Sequence, residues 1–554
     1  MTTRLLIIGG VAGGATAAAR ARRLDEQAEI TVIERGPYVS YANCGLPYFI
    51  AREIKRRSEL LLQTPEGFDA RYGIKVHVKT EAMELDRAGK RVRVAGPDGE
   101  RWLSYDKLIL AQGGSPIVPP LPGADGANVF KLWTIPDTDR LHAYLEAESP
   151  ATAVIVGGGF IGLEMAEAFR CRGLATTVVE LLPTVMAVMD RAFGVAIASE
   201  LQANGVDVLT GVGVKAVHPG ERQVELSDGR RLPADVVLFS VGVRPELTLV
   251  RAAGLELGPA GALLVDDRMR TSDPDIYAAG DMLEVLHKVS GRKVRMPLAG
   301  PANRQGRIAA SNALGRDMRY AGALGTSVVK IFGATAASTG LTEKAARDAG
   351  LDVGVAIIHK DHHAAYYPGA EEMTLQVVYD RKTARLLGGQ AFGREGVDKR
   401  IDVLAMALQS ESTLHDLAEV DLAYAPPYSS ANDPVNVVAF VGLNDVCGDS
   451  PLVTAAQLEA ELASPTPPLV LDVRTLGEYA ASHLKGVVHF PLDDLRFQHQ
   501  SLPRDRRIVA YCRVGFRGHL ALRTLVGLGF TNVANVTGGF LSIVAEGGFE
   551  LEES

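Results

Sequence analysis

Short apolar runs that end in glycine clusters set the pattern of this chain. Arg4 to Ile8 is one such run; Gly9-Gly10-Val11-Ala12-Gly13-Gly14 follows, then a segment rich in alanine and arginine, then Ile30 to Ile33 ending at Glu34. The length of the runs predicts buried strands, and the segment between them predicts a helix. The pattern repeats downstream: Ala153 to Val156, then Gly157-Gly158-Gly159-Phe160-Ile161-Gly162, then Thr176 to Val179 ending at Glu180. Two further runs lie near the C-terminus. Leu469-Val470-Leu471-Asp472-Val473-Arg474 predicts a buried strand, and Ile508 to Tyr511 predicts another that leads into a loop and a helix.

Strand, glycine turn, helix, strand and terminal acid form a dinucleotide-binding βαβ unit. The glycines let a pyrophosphate approach the helix N-terminus, where unpaired N–H groups and the helix dipole favour anions. The acid can accept hydrogen bonds from a ribose. The first turn departs from G-x-G-x-x-G because Val11 stands at the middle glycine; the second fits fully. Leu181-Leu182 follow Glu180, with no arginine to hold a 2′-phosphate, which predicts NADH over NADPH. The apolar stretch from Leu5 to Ala19 could pass for a signal peptide, but cleavage there would remove the first turn. No later run is long and charge-free enough to span a membrane.

With 554 residues the chain exceeds a single core, and three or four domains are expected. A net charge of −8 gives no global attraction to nucleic acid or anionic membrane. Cys44, Cys171, Cys447 and Cys512 are far apart, without CxxC or Cys/His metal spacing, so a disulfide framework is excluded and a reducing cytoplasm fits. His359 to Tyr367 contains three histidines but no carboxylate or cysteine at ligand spacing, so no metal is expected. Cys171 lies on the helix after the second turn, where ordinary packing is expected; Cys447 falls in the linker.

Cys44 lies in Ser40-Tyr41-Ala42-Asn43-Cys44-Gly45-Leu46-Pro47-Tyr48. Phe49 occupies the place where a C-x4-C dithiol would have its second cysteine. A lone redox thiol must find its second sulfur elsewhere, in a mixed disulfide with a small thiol, or be oxidised singly. Cys512 ends a strand in Cys512-Arg513-Val514-Gly515-Phe516-Arg517. Loop N–H groups, the following helix N-terminus and Arg517 would stabilise a sulfur anion there.

Three further segments carry a family resemblance. Thr271 to Asp281 (TSDPDIYAAGD), Leu110-Ala111-Gln112-Gly113-Gly114 and Ser240-Val241-Gly242-Val243-Arg244-Pro245 resemble, together and over residues 1 to 445, the flavoprotein pyridine nucleotide-disulfide oxidoreductases. The resemblance implies an α/β chain with two Rossmann-like dinucleotide-binding domains. These are an FAD domain at 1–113 and 246–322 and an NAD domain at 114–245, followed by an α+β dimerisation domain at 323–445. The implied cofactor contacts are Gly9, Ala12, Gly14, Glu34, Arg35, Ala111, Gly113 and Asp281, with Gly157, Gly159, Gly162, Glu164, Glu180 and Gly242. Asp281 would meet the flavin's ribityl chain.

Within this family the Cys44 segment resembles the coenzyme A-disulfide reductases, whose single cysteine alternates between thiolate and a mixed disulfide with coenzyme A. NADH oxidases and peroxidases carry a histidine in the first turn where this chain has Ala12. Coenzyme A phosphates need cations; Arg20 and Arg23 share a helix face while Arg22 points elsewhere. Ser40, Asn43 and Arg71 join them by resemblance. Tyrosines that reach the partner subunit's active site are carried onto Tyr367 and Tyr424, with Tyr366 and Tyr428 as adjacent alternatives, so a homodimer with shared active sites is implied.

After a linker at 446–451, residues 452–554 resemble a single rhodanese domain, an α/β sulfur carrier. Its C-x4-R spacing is one residue shorter than that of tyrosine phosphatases. The whole resembles coenzyme A-disulfide reductase–rhodanese fusions, which use NADH, FAD and coenzyme A to reduce coenzyme A disulfide, coenzyme A persulfide or polysulfide. The implied catalytic residues are Cys44, Cys512, Tyr367, Tyr424 and Arg517. An NADH oxidase or peroxidase with an attached rhodanese, and a coenzyme A- or redox-sensing binding protein, are the alternatives.

Overall fold

The computed structural model describes residues 2–553. The chain divides into two compact units: Met1–Pro183 with Gly205–Gly325, and Thr184–Asn204 with Thr326–Ser554.

The first unit contains two parallel five-stranded sheets. In one, the strand order is Ile276–Ala278, Lys107–Leu110, Arg4–Ile8, Glu29–Ile33, Lys75–His77. In the other it is Val206–Thr210, Ala175–Glu180, Thr152–Val156, Val236–Phe239, Val129–Phe130. The predicted strands are the central ones. Largely buried on both faces, they read as mostly apolar runs, interrupted by Thr31 and by Thr176-Thr177. The resembled crossover segments meet: Gly114–Pro116 pairs antiparallel with Val243–Pro245, so the chain enters and leaves the second sheet through one two-stranded ribbon. Helix Ala12–Leu24 packs on helix Ala299–Ala313 at very short range, since a Cβ at Gly306 would lie 2.2 Å from the Gly13 carbonyl oxygen.

The second unit holds an antiparallel sheet ordered Ser327–Ile331, Ala334–Gly340, Leu386–Gly393, Glu372–Asp380, Val353–Asp361. Helices Val397–Gln409 and Pro434–Val446 pack with it. A parallel sheet ordered Leu452–Val453, Val533–Val536, Ile508–Tyr511, Leu469–Asp472, Val488–His489 forms the C-terminal module. The expected linker is short and ordered: Cys447 caps the Pro434–Val446 helix, and the Leu452 N–H donates to Asp445 Oδ1 at 2.9 Å. No helix among the described residues is long and apolar enough to cross a membrane.

Candidate active sites

The glycines of the two turns have different physical roles. Gly9 has φ +99°, and a Cβ there would lie 2.1 Å from the Ala111 carbonyl oxygen; at Gly14 it would lie 1.8 Å from that of Gly9. Gly157 (φ +105°) and Gly162 repeat this arrangement, a Gly162 Cβ falling 2.0 Å from the Gly157 oxygen. Val11 precedes the first helix at a negative φ of −96°, so this position does not need the left-handed backbone that favours glycine. Gly159 has no atom within 4 Å of its would-be Cβ, so its backbone is open to a ligand. Glu34 accepts from the Gly10 and Gly36 N–H groups at 2.9 and 2.7 Å, and Glu180 accepts from those of Gly158 and Leu182 at 2.7 and 2.8 Å. Each acid thus fixes its own turn. Gly162→Ala destabilises the first unit by roughly 1–3 kcal/mol through overpacking. Gly159→Ala folds normally but raises KM for NADH roughly tenfold, because the methyl group stands where the pyrophosphate approaches. Thermal melts and steady-state kinetics of both variants check this contrast.

Asp281 follows left-handed Gly280 and makes no side-chain hydrogen bond among the described residues; burial pushes its carboxyl up to about 6. Gln112 Oε1 is likewise buried without a donor. Two orphaned acceptors beside the first turn suit a ligand rich in hydroxyl and N–H donors, as FAD is. Ala12 opens the first helix, Gly113 is left-handed (φ +65°), and Arg35 pairs with Glu246 at 3.5 Å. Gly242, also left-handed, lends its carbonyl to the Ile117 N–H at 2.9 Å, across the two-stranded ribbon.

Cys44 lies in the one-turn helix Asn43–Gly45, ahead of Leu46–Ile50. Its side chain reaches solvent on one side, with dense protein on the other. Burial pushes the thiol up, and the Glu164 and Asp281 carboxylates push it further. Glu164 comes from the second nucleotide helix and accepts from the Tyr48 hydroxyl at 3.0 Å. Tyr48 lies four residues after Cys44, on the next helix, so this bond ties the segment that follows the cysteine to the helix after the second glycine turn. Nothing in local sequence spacing announces it. Phe49 is buried and stacks on His142 with ring centroids 5.2 Å apart, which packs the place of a second cysteine with hydrocarbon. Cys171 is exposed at the end of its helix rather than packed inside it.

A cation cluster stands on the helix pair. Arg20 donates from Nε to Ser311 Oγ at 3.1 Å. Burial and the charges of Arg307, Arg23 and Arg316 hold its guanidinium below the usual range. Arg307 and Arg316 escape sequence reasoning because they lie far along the chain, on or just after the facing helix. Arg22 instead is buried against the carbonyls of Asp25, Glu26, Tyr72 and Gly73, as its position on the helix predicts. Ser40 donates its N–H to the Gly10 carbonyl at 2.8 Å, beside the first turn. Asn43 and Arg71 are exposed, Arg71 at the end of helix Pro65–Tyr72.

In the second unit the Tyr366 and Tyr424 hydroxyls meet at 3.2 Å, both exposed. Tyr367 turns away, its ring edge-on to His363, and Tyr428 is exposed. Arg400 staples the two tyrosine loops: it donates to the His362 carbonyl at 2.6 Å and to both Asp433 oxygens at 3.2 and 2.8 Å. The three histidines of this segment are each engaged, His359 on the strand with Thr374 and Ser542, and His362 and His363 in the loop with backbone.

Cys512 is buried at the end of its strand, and its Sγ accepts from the Gly515 N–H at 3.1 Å. Gly515 (φ +98°) turns the loop into helix Phe516–Gly527. Arg517 is held by Glu478 through two bonds of 2.7 and 2.6 Å, which keep the Glu478 carboxyl down at about 2. The carbonyls of Cys512 and Arg513 face outward onto the first N–H groups of helix Gly539–Glu546, at 2.7 Å from Phe540 and 3.1 Å from Leu541.

Residues 3–306 match the pyridine nucleotide-disulphide oxidoreductase family, 326–434 its dimerisation domain, and 454–546 the rhodanese-like domain. A Pyrococcus abyssi protein described as a CoA-dependent NAD(P)H sulfur oxidoreductase is 37% identical over 438 residues, covering 79% of this chain and 97% of that protein. The reduced Bacillus anthracis CoADR-RHD crystal structure superposes with a TM-score of 0.95 at 38% identity, over 99% of this chain and 98% of that one. An NAD-dependent persulfide reductase from A. fulgidus does so at 0.90 and 36%, over 97% and 99%. The family uses FAD and NAD(P)H as its cofactors. The chain is a member of the pyridine nucleotide-disulphide oxidoreductase family, equipped with that family's dimerisation domain and a C-terminal rhodanese-like domain.

Proposed function

We propose that this protein uses NADH to reduce coenzyme A persulfide, polysulfides and coenzyme A disulfide, with Cys44 as the attacking thiol and Cys512 as the carrier of sulfane sulfur. The observation that carries this reading is the lone, solvent-reaching Cys44 with Phe49 packed where a resolving cysteine would stand. The Cys44 thiolate attacks the sulfur attached to coenzyme A; a Cys44–S–S–CoA disulfide forms and hydrosulfide leaves. Two electrons and one proton then return the Cys44 thiolate and free coenzyme A. Bound FAD supplies the route by which the electrons of NADH reach that disulfide. Asp281 and Gln112 hold FAD; Glu180 holds the NADH ribose, without a neighbouring cation for a 2′-phosphate. Arg20, Arg23, Arg307 and Arg316, with Arg71, Ser40 and Asn43, receive the coenzyme A phosphates. Tyr366 and Tyr424 serve the partner's Cys44 in a homodimer; their hydroxyl contact supports Tyr366 over Tyr367. Arg517 supports the Cys512 anion. A reducing cytoplasm would keep Cys44, Cys171 and Cys447, all exposed, as thiols.

Mass spectrometry of the isolated protein tests the reading. Expected are bound FAD and an adduct of coenzyme A mass on the Cys44 peptide, released by NADH. A singly oxidised Cys44, with peroxide or oxygen outcompeting persulfide for NADH, would instead establish an oxidase or peroxidase. A kcat far below about 1 s⁻¹ on every sulfur substrate would establish a sensor.

A further inference from the structure

Cys512 does not sit in a free-standing module. The loop that carries it and the helix that clamps it are both tied to the antiparallel sheet of the same unit. Arg513, the residue after the cysteine, donates to both carboxylate oxygens of Glu372 at 2.8 and 3.2 Å. Thr537 Oγ1 accepts from the Ile357 N–H at 2.7 Å and lies 3.4 Å from its carbonyl. A Cβ at Gly538 would lie 2.9 Å from Ile357 Cγ2. Ser542 Oγ meets His359 Nε2 at 3.0 Å, and His359 Nδ1 meets Thr374 Oγ1 at 2.9 Å. Thr537, Gly538 and Ser542 flank and belong to the helix whose N–H groups grip the Cys512 and Arg513 carbonyls. Turning those carbonyls outward leaves the loop N–H groups to face the sulfur, as the Gly515 bond shows. A Cβ at Gly539 would lie 2.3 Å from the Cys512 oxygen, so helix and loop touch through backbone alone.

We infer that Glu372 and His359 of the dimerisation domain are positioning residues for Cys512: Glu372 fixes the loop through Arg513, and His359 fixes the clamping helix through Ser542. The sulfur-carrier site is therefore completed by a second domain of the same chain. Burial holds His359 neutral, down at about 4, so one ring nitrogen donates and the other accepts, and the two hydroxyls can take either complementary role. Neither residue belongs to the Cys44 machinery. Without the anchors the loop keeps its sequence but loses its fixed geometry, and small misplacements of a nucleophile are costly in rate rather than in binding.

This inference rests on the sulfur-transfer reading of Cys512, and the experiment separates the two. In the full-length protein, Glu372→Gln and His359→Ala are assayed for transfer of sulfur from thiosulfate to cyanide and for the rate of Cys512 alkylation by iodoacetamide. Expected is a roughly tenfold fall in kcat, with KM for thiosulfate within about twofold, and an altered alkylation rate. NADH-dependent reduction of coenzyme A disulfide stays unchanged, which shows that the fold is intact. The paired exchange Glu372→Arg with Arg513→Glu restores kcat to within about threefold of the parent. Unchanged transfer and alkylation in both single variants overturn the positioning role. Absence of transfer in the unaltered protein overturns the carrier reading, and the alkylation rates still decide whether the sheet positions the cysteine.

Discussion

Cys44→Ser loses NADH-driven reduction of coenzyme A persulfide and coenzyme A disulfide, by roughly a thousandfold or more in kcat, while keeping FAD and the sulfur transfer of Cys512. A serine hydroxyl does not ionise in the working range and is a poor nucleophile toward sulfur. No neighbour replaces it, because the fifth residue onward is Phe49, packed on His142. The thiol itself is not activated by its protein surroundings. Burial, Glu164 and Asp281 all raise it, so less thiolate forms at a given pH than in an ordinary cysteine. In the proposed reaction the thiolate would therefore be stabilised by what binds beside it, the flavin above all. The FAD-free protein accordingly alkylates at Cys44 only as the pH is raised above the ordinary thiol range, and reconstitution with FAD brings reactivity back toward neutrality. Stopped-flow reduction of coenzyme A persulfide, with FAD content and thiosulfate sulfurtransferase as parallel readings, checks the variant.

Arg400→Met costs the second unit about 3–5 kcal/mol, the penalty for stranding a buried charge. Arg400 and Asp433 side chains are 1% and 3% exposed, so solvent cannot replace the lost partner. Burial works against the Asp433 carboxylate, but bonds from Arg400, the Val435 N–H and the Ser429 hydroxyl hold it below the ordinary range. A carboxyl depressed in this way stabilises the fold above its unfolded value and loses that contribution as pH falls through its folded value. The parent therefore gives up this stability in acid, and the variant lacks most of it at neutrality. A second change, Asp433→Leu, recovers only part of the loss, since Asp433 also caps the Pro434–Val446 helix. Because Arg400 holds both tyrosine loops, the Tyr366–Tyr424 contact goes with it. Urea melts of parent, single and double variants, read alongside persulfide reduction, check both consequences.

The dinucleotide turns were legible because their chemistry is local: strand, glycines, helix and acid lie within about thirty residues, and Gly9, Gly14, Gly157 and Gly162 each answer to a backbone contact that the spacing implies. The Cys512 loop was legible for the same reason. Contacts carried by side chains from distant elements were not. Tyr48 with Glu164, Arg20 with Ser311 beside Arg307, Arg400 with Asp433, and Arg513 with Glu372 join residues far apart in the chain. Periodicity places such a residue on a face but does not say what faces it. The contact of Tyr366 with Tyr424 is of this kind too, since Tyr366 and Tyr367 are adjacent and their side chains diverge. Cys171 was misplaced because a residue's average burial says little at a helix end, where solvent returns.

The two-stranded ribbon of Gly114–Pro116 and Val243–Pro245 also sets an order of assembly during synthesis. The first parallel sheet begins at Arg4 but is completed only by Ile276–Ala278, which must pair with Lys107–Leu110. All strands of the second sheet lie between those two segments. On the ribosome, where residues emerge at about 5–20 per second, the inserted sheet is available in full while the opening one still lacks an edge. The half of the unit that starts the chain is thus the last to close, and Asp281 arrives with its final strand.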